Sequence, residues 1–213
     1  MDVRAGSPGT PAAQARARWQ ATADRLWPIA MADPDGYRRV ADLVGLVLAE
    51  LRRRTATVDE LLALDADPRT VLGVVPDGAA AGVGGPRVLL DAACAIRGDE
   101  LHAAGARAAR IGAIAAARQA GEAWVLLEDG PTRSVEMHLV TGLALVASAD
   151  PYAGPKPYQL GETILDAATG DPVTGPAGRD VSFAGRAQWL AERERWRTEI
   201  AARLDVDPSD GLR

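Results

Sequence analysis

AWVLLEDGPTRSVEMHLVTGLALVASA, residues 123–149, sets the fold class of this chain. Its apolar residues alternate with polar ones, as they do in β-strands, and turn sequences interrupt the alternation at 129–131 and at 141–142. The pattern therefore predicts a strand over 123–128 and a β-hairpin over 133–149 that turns at Thr141-Gly142.

One face of the first hairpin strand carries the polar row Ser134, Glu136 and His138, while the alternate residues are apolar. Such a row suggests catalysis, but residues two apart on a strand point the same way and lack the nucleophile–base–orienter arrangement of a triad. No G-x-S-x-G elbow is present to expose a serine. Glu136 and His138 are therefore weak candidates for a small-molecule-binding or hydrolase-type site, opposite Ala147 and Leu145 respectively.

Helical periodicity dominates the chain before these strands. The clearest helix covers 37–53, where Tyr37 heads an apolar stripe and arginines close the C-terminal end. The next helix begins at Thr57, whose spacing from Glu60 is that of a capping box. A break at Trp27-Pro28 ends the first helix. The helices predicted before the strands cover residues 12–26, 37–53, 57–64, 87–96 and 99–120.

The sequence after the hairpin predicts one more strand, over 158–166, and a terminal helix over 182–204. The apolar face of that helix carries Trp189, Trp196, Ile200 and Leu204. We expect this face to cover one side of the sheet. The predicted fold class is α+β, with a helical N-terminal half, an antiparallel meander of three to four strands and a C-terminal amphipathic helix on the sheet.

The glycine-rich stretch GAAAGVGGP, residues 78–86, is the best candidate for an internal boundary. It lacks the G-K-[ST] ending of a phosphate-binding loop and follows no strand, so a mobile linker is the expected structure. We predict a disordered lead over 1–11 and a single domain over 12–213, with 77–86 as the place where that domain would subdivide.

Composition narrows the function classes. The 213-residue chain has a net charge of −5, and Lys156 is the single lysine among 24 basic residues. This preference for arginine, together with many alanines, is typical of a high-GC bacterial genome. An acidic chain whose arginines alternate with carboxylates disfavours a nucleic-acid partner. No apolar run approaches the ~20 residues of a membrane span, so we expect no membrane partner.

The single cysteine, Cys94, excludes an intramolecular disulfide and a multi-cysteine zinc site. It lies among alanines, where a small buried residue is the simplest role. The N-terminal sequence lacks the apolar segment of a secretory signal, and both features favour a cytoplasmic protein. His102, close to Asp99, has no further ligands nearby, so we expect neither a metal site nor a cofactor.

A helix-turn-helix regulator is one alternative function, because segments within 37–75 have the lengths of a three-helix DNA-binding unit. The segment that would enter the groove, RTVLGVV, offers only Arg69 and Thr70 as polar side chains. Burial of residues 70–75 would exclude this function.

Two features could bind a partner protein. Tryptophan and arginine dominate interface hot spots and occur together on the terminal helix, although covering the sheet is the simpler role for its tryptophans. A proline-studded loop with two tyrosines precedes the last predicted strand and is typical of recognition loops. The candidate partner surface comprises Trp189, Arg193 and Trp196 on the helix and Tyr152, Lys156 and Tyr158 in the loop.

The leading functional prediction is a non-catalytic cytoplasmic interaction or accessory protein, because no catalytic, metal or phosphate motif survives inspection. Its partner would be another protein or a second copy of the chain, as a homodimer. The alternatives are the small-molecule-binding or hydrolase-type site around Glu136 and His138 and the DNA-binding unit within 37–75.

Overall fold

The computed structural model describes residues 10–152, 154–173 and 178–203. By internal contacts the chain divides into two compact units, Met1–Gly105 and Ala106–Arg213. The division falls within the longest helix, so the glycine-rich stretch 77–86 lies inside the first unit. Most of the predicted lead, residues 1–11, lies outside the described residues.

Helices build the first unit. Their bounds are α1 Pro11–Met31, α2 Pro34–Arg54, α3 Val58–Ala66, α4 Arg69–Leu72 and the N-terminal part of α5 Pro86–Gln119, and a 3₁₀ turn lies at Ala81–Val83. Apolar faces of these helices meet in one core, whose most deeply buried members include Trp19, Val47, Leu51, Leu61, Leu89 and Leu90. Burial of side chains on several helices at once makes this unit a helical bundle.

The two best-predicted helices begin at clear capping signals. Asp33 caps α2 by accepting hydrogen bonds from the backbone N–H groups of Asp35 and Gly36, at 3.2 and 3.0 Å. The predicted capping box of α3 is confirmed, because Thr57 and Glu60 exchange side-chain and backbone hydrogen bonds. Hydrogen bonds from the backbone N–H groups of Ala56 and Thr57 lower the pKa of Glu60.

Two predicted helix breaks are wrong. Helix α1 continues through Pro28 to Met31, and Leu26 and Ala30 on either side of the proline are buried in the core. Helix α5 is continuous where the sequence predicted separate helices over 87–96 and 99–120. A glycine costs about 1 kcal/mol inside a helix and a proline about 3, and burial of the flanking turns outweighs these local costs.

The second unit is a five-stranded antiparallel meander in the order β1-β2-β3-β4-β5, with helices on both faces. The strands are β1 Trp124–Asp129, β2 Arg133–His138, β3 Leu143–Ala149, β4 Tyr158–Ile164 and β5 Asp180–Phe183. The C-terminal part of α5 packs on one face through Ile114 and Ala117, and α6, Arg186–Ala202, packs on the other through Trp196 and Ile200. The predicted α+β fold class is confirmed.

The predicted hairpin turn is confirmed, and only glycine fits it. Gly142 has φ +69°, and a Cβ at this position would lie 2.4 Å from the carbonyl oxygen of Leu165. The predicted pairing is wrong by two residues, because Glu136 lies opposite Leu145 rather than opposite Ala147. His138 accordingly lies beyond the residues of β2 that pair with β3, next to the turn, and it pairs with Trp124 of β1.

The end of the sheet also differs from the prediction. Residues 180–183 form β5, and Phe183 pairs with Tyr158, so the terminal helix begins at Arg186 rather than at 182. The predicted packing of the terminal helix on one sheet face is confirmed, and α5 covers the other face, which the sequence did not predict. Leu204, expected on the apolar face of this helix, lies outside the described residues.

Candidate partner-binding surface

Glu136 faces α6 and is held there by two arginines. Its carboxylate pairs with the guanidinium of Arg193, and its Oε2 lies 3.5 Å from Nε of Arg197. Arg197 in turn lies over the ring of Trp124, 5.2 Å from its centroid. Glu136, in the polar row that the sequence singled out, therefore makes an internal contact between β2 and the terminal helix.

His138 is buried, with 1% of its surface exposed. Its Nδ1 lies 3.1 Å from Oγ1 of Thr141, and its ring meets Trp124 edge-on at 5.1 Å. Burial lowers the pKa of the imidazole, because the charged form loses hydration. A neutral histidine bonded to a hairpin residue stabilises the turn but gives a substrate little access.

The tryptophans of α6 contact the sheet. Trp196 is buried, donates its indole N–H to Glu192 at 2.8 Å, and lies 4.1 Å below the guanidinium of Arg179. Trp189 stacks on Tyr158 at 5.3 Å and donates to the backbone carbonyl of Gln159. This half of the predicted partner surface thus holds the second unit together.

The loop between β3 and β4 supplies the other half of that predicted surface. Tyr152 and Lys156 are exposed, whereas Tyr158 begins β4 and lies partly under Trp189. Of these three residues, Tyr152 and Lys156 are therefore open to solvent, and Tyr158 belongs to the sheet.

The segment proposed to read DNA is too short for that role. Helix α4 spans only Arg69–Leu72, and Val71 is fully buried in the helical core. The neighbouring Leu72, Val74 and Val75 are partly buried against the same core. A recognition helix needs a polar outward face of several turns, which these residues do not provide.

Two buried carboxylates in the first unit are neutralised internally. Asp65 on α3 pairs with Arg18 and Arg87, and Asp91 on α5 accepts hydrogen bonds from Arg87 at 3.0 Å and from Thr22 at 3.3 Å. Each of the four charged residues, Arg18, Asp65, Arg87 and Asp91, has an opposite partner, so this cluster links α1, α3 and α5. Burial raises the pKa of the nearby Cys94 thiol to about 12, so this residue is an unreactive member of the core.

The α1–α2 turn carries exposed apolar side chains that the sequence did not identify. Ile29 is 74% exposed and Met31 64%, at the end of α1, and Tyr37 is 44% exposed, in the first turn of α2. The ring of Tyr37 lies 6.0 Å from that of Trp27, and Tyr37 lines a depression together with Met31. We call Trp27, Ile29, Met31 and Tyr37 the α1–α2 surface.

A groove of ≈ 470 Å³ begins at this surface and ends at the glycine-rich stretch. Most of its lining is apolar, from both helices and from the 3₁₀ turn. The lining residues are Leu26, Ile29, Ala30, Asp33, Gly36, Arg39, Val40, Gly82, Val83 and Gly84. A second depression of ≈ 420 Å³ at the same turn is lined by Met31, Pro34, Tyr37 and Arg38.

Sequence reasoning missed the α1–α2 surface for two reasons. The predicted helix end at Trp27-Pro28 placed Ile29 and Met31 in a turn, where an exposed apolar residue draws no attention. Tyr37 was assigned to the buried stripe of α2, although it lies at the margin of that stripe. Two large apolar residues just before a helix cap were the available signal.

Searches against protein-family models, curated proteins and solved structures find no match to this chain. Across the described ranges, no cluster of three or more His, Cys, Asp or Glu side chains could hold a metal ion. None of the described helices is both long and apolar enough to cross a bilayer. The case for function therefore depends on the geometry of the chain itself.

Proposed function

We propose that this chain is a non-catalytic cytoplasmic interaction or accessory protein that binds a protein partner through the α1–α2 surface. The observation that carries the proposal is the exposure of three large apolar side chains at one turn, where Ile29 lines the larger depression and Met31 and Tyr37 line the smaller one. Contiguous exposed apolar patches on soluble proteins commonly mark interaction sites.

The residue types at this surface suit an interface. Tryptophan, tyrosine, methionine and arginine are enriched in interface cores and hot spots, and Tyr37 and Met31 line one depression together with Arg38. Full burial of a large apolar side chain contributes about 1.5–3 kcal/mol, so covering Ile29 and Met31 would supply a substantial part of a binding free energy.

Competing functions have less support among the described residues. A hydrolase-type site needs an accessible base, whereas His138 is buried and Glu136 is paired with Arg193. A DNA-binding unit needs a recognition helix, and α4 has a single turn with Val71 buried. The free, buried thiol of Cys94 is compatible with the reducing compartment that the proposal assumes.

The proposal is tested by capture from a lysate of the source organism, with immobilised wild-type chain and two variants. The double variant Ile29→Asp/Met31→Asp places two charges on the surface, and Val140→Asp is the control, because Val140 is exposed to a similar 69% in the second unit. We expect proteins that bind wild type and the control to be lost from the double variant. Equal capture by all three chains would contradict the proposal.

A homodimer is a special case of the same proposal. Light scattering of the purified chain distinguishes the 22.3 kDa monomer from a dimer. If the partner is a second copy, wild type and Val140→Asp should dimerise and Ile29→Asp/Met31→Asp should be monomeric. A dimer that the double variant leaves intact would place the interface elsewhere.

A further inference from the structure

We infer that the α1–α2 surface binds an acidic amphipathic helix of a partner protein, with apolar residues on one face and carboxylates at its edge. This inference rests on the proposed function and adds the chemistry of the partner. Two features carry it, the pair of apolar depressions and the arginines near the larger one.

The two depressions suit a segment with separate apolar anchors. One is lined by Leu26, Ile29 and Val40 among others, and the second by Met31 and Tyr37 with their neighbours. Residues i and i+4 of an amphipathic helix present two anchors of this kind to a groove. A single lipid-like ligand would instead favour one enclosed cavity.

Two arginines without partners in the described part of the chain lie at or near the larger depression. Arg39 lines the larger one, and Arg25 precedes the exposed Ile29 by one helical turn on α1. Neither has a hydrogen-bond or ion-pair partner within the described ranges, whereas other arginines, such as Arg87 and Arg179, each contact two carboxylates. Carboxylates of a bound helix would supply the missing partners.

The acidic residues at the same turn make their contacts elsewhere and do not pair with Arg25 or Arg39. Asp33 uses its two carboxylate oxygens to cap α2, and Asp35 lies 4.0 Å from Arg38 in an exposed pair. The net charge of the whole chain is −5, so an acidic segment gains nothing from long-range attraction. The attraction must come from contact with Arg25 and Arg39.

The test is selection from a displayed library of random peptides long enough to form a helix. Peptides are selected on the full-length wild-type chain and counter-selected on Ile29→Asp/Met31→Asp. We expect enriched peptides to carry apolar residues at i and i+4 and a net negative charge. Enrichment of neutral or basic peptides would overturn the inference while leaving the proposed function standing.

Substitution of the arginines tests the charge contacts separately. For an enriched synthetic peptide, Arg25→Gln/Arg39→Gln should weaken binding about 2- to 30-fold, because two exposed ion pairs are lost. Arg186→Gln is the matched control, since Arg186 in the second unit also has no partner within the described ranges. Unchanged affinity of the double variant, or an equal loss in the control, would overturn the inference.

Two further outcomes separate failure of the inference from failure of the proposed function. Decanoate serves as a probe for a single-chain carboxylate ligand. If it shifts the methyl NMR signals of Ile29 and Met31 while no peptide is enriched, the site binds a small carboxylate and the inference is wrong. If wild type and Ile29→Asp/Met31→Asp enrich the same peptides and capture the same proteins, the α1–α2 surface binds nothing and both fail.

Discussion

Aromatic and arginine residues occur together in two regions of this chain, around α6 and at the α1–α2 turn. In the first region they pack inside the unit, and in the second they are exposed. Around α6, the arginines that stack on tryptophans have acidic partners: Arg179 lies over the buried Trp196 and contacts Glu162 and Glu199. At the α1–α2 turn Arg39 has no such partner in the described part of the chain, and Tyr37 projects into solvent.

The difference shows that residue type alone does not identify an interface. What distinguishes the regions is whether the same unit supplies a surface and opposite charges to cover the side chains. The sheet offers both to α6, whereas no described element of the first unit covers Ile29 or Met31. Three predictions test this contrast, in order of decreasing effect.

The largest effect is expected at the buried tryptophan. Trp196→Ala should lower the free energy of unfolding by about 3–5 kcal/mol, because it removes a buried aromatic ring and leaves a cavity. Tyr37→Ala should cost less than about 1 kcal/mol, since much of that ring is already exposed. Urea unfolding followed by circular dichroism measures both, and equal losses would remove the contrast between the regions.

A smaller effect is expected from the internal ion pairs. Glu136→Gln should cost about 1–3 kcal/mol, because Arg193 and the Trp124-stacked Arg197 lose a largely buried counter-charge. Glu194→Gln is the control, because Glu194 lies 3.7 Å from the same Arg197 but is mostly exposed. Its cost should stay within about 0.5 kcal/mol in the same unfolding assay. A Glu136 variant as stable as the control would show that this face is not a structural contact.

The smallest effect concerns pH. Burial lowers the native pKa of His138 from its usual 6.5, so the unfolded chain takes up this proton first as pH falls. The free energy of unfolding is therefore unaffected by protonation of this residue above about pH 6.5. It falls as the pH drops below that value, until the lowered native pKa is reached and the folded chain also takes up the proton.

The measurement compares the unfolding free energies of wild type and His138→Gln at pH 7.5 and at pH 5.5. Wild type should lose more stability between these values than the variant, because only wild type carries the imidazole. The same loss in both chains would assign the acid sensitivity to other groups.

Local signals in the sequence were enough for some elements. The stripe from Val40 to Leu51 and the Thr57 capping box predicted α2 and α3, and the alternation around Thr141-Gly142 predicted the central hairpin. Each of these signals lies within the element that it specifies. The exclusion of catalytic motifs also came from the sequence, although it said nothing about where a partner binds.

Other elements depend on tertiary contacts that no local pattern contains. Helix α1 passes through Pro28 because the turns on both sides are buried, and β5 has only four residues and forms by pairing with β4. Exposure of Ile29 and Met31 is likewise a property of the assembled unit. The candidate site could therefore be found only once the helices were in place.

The most direct measurement is site-specific photo-crosslinking in cells that produce the chain. A benzophenone amino acid replaces Ile29 in one strain and the similarly exposed Val140 in another. The account predicts a discrete crosslinked protein from position 29 and none from position 140. No adduct at position 29, or the same adduct from both positions, would contradict the claim that the α1–α2 surface binds a protein partner.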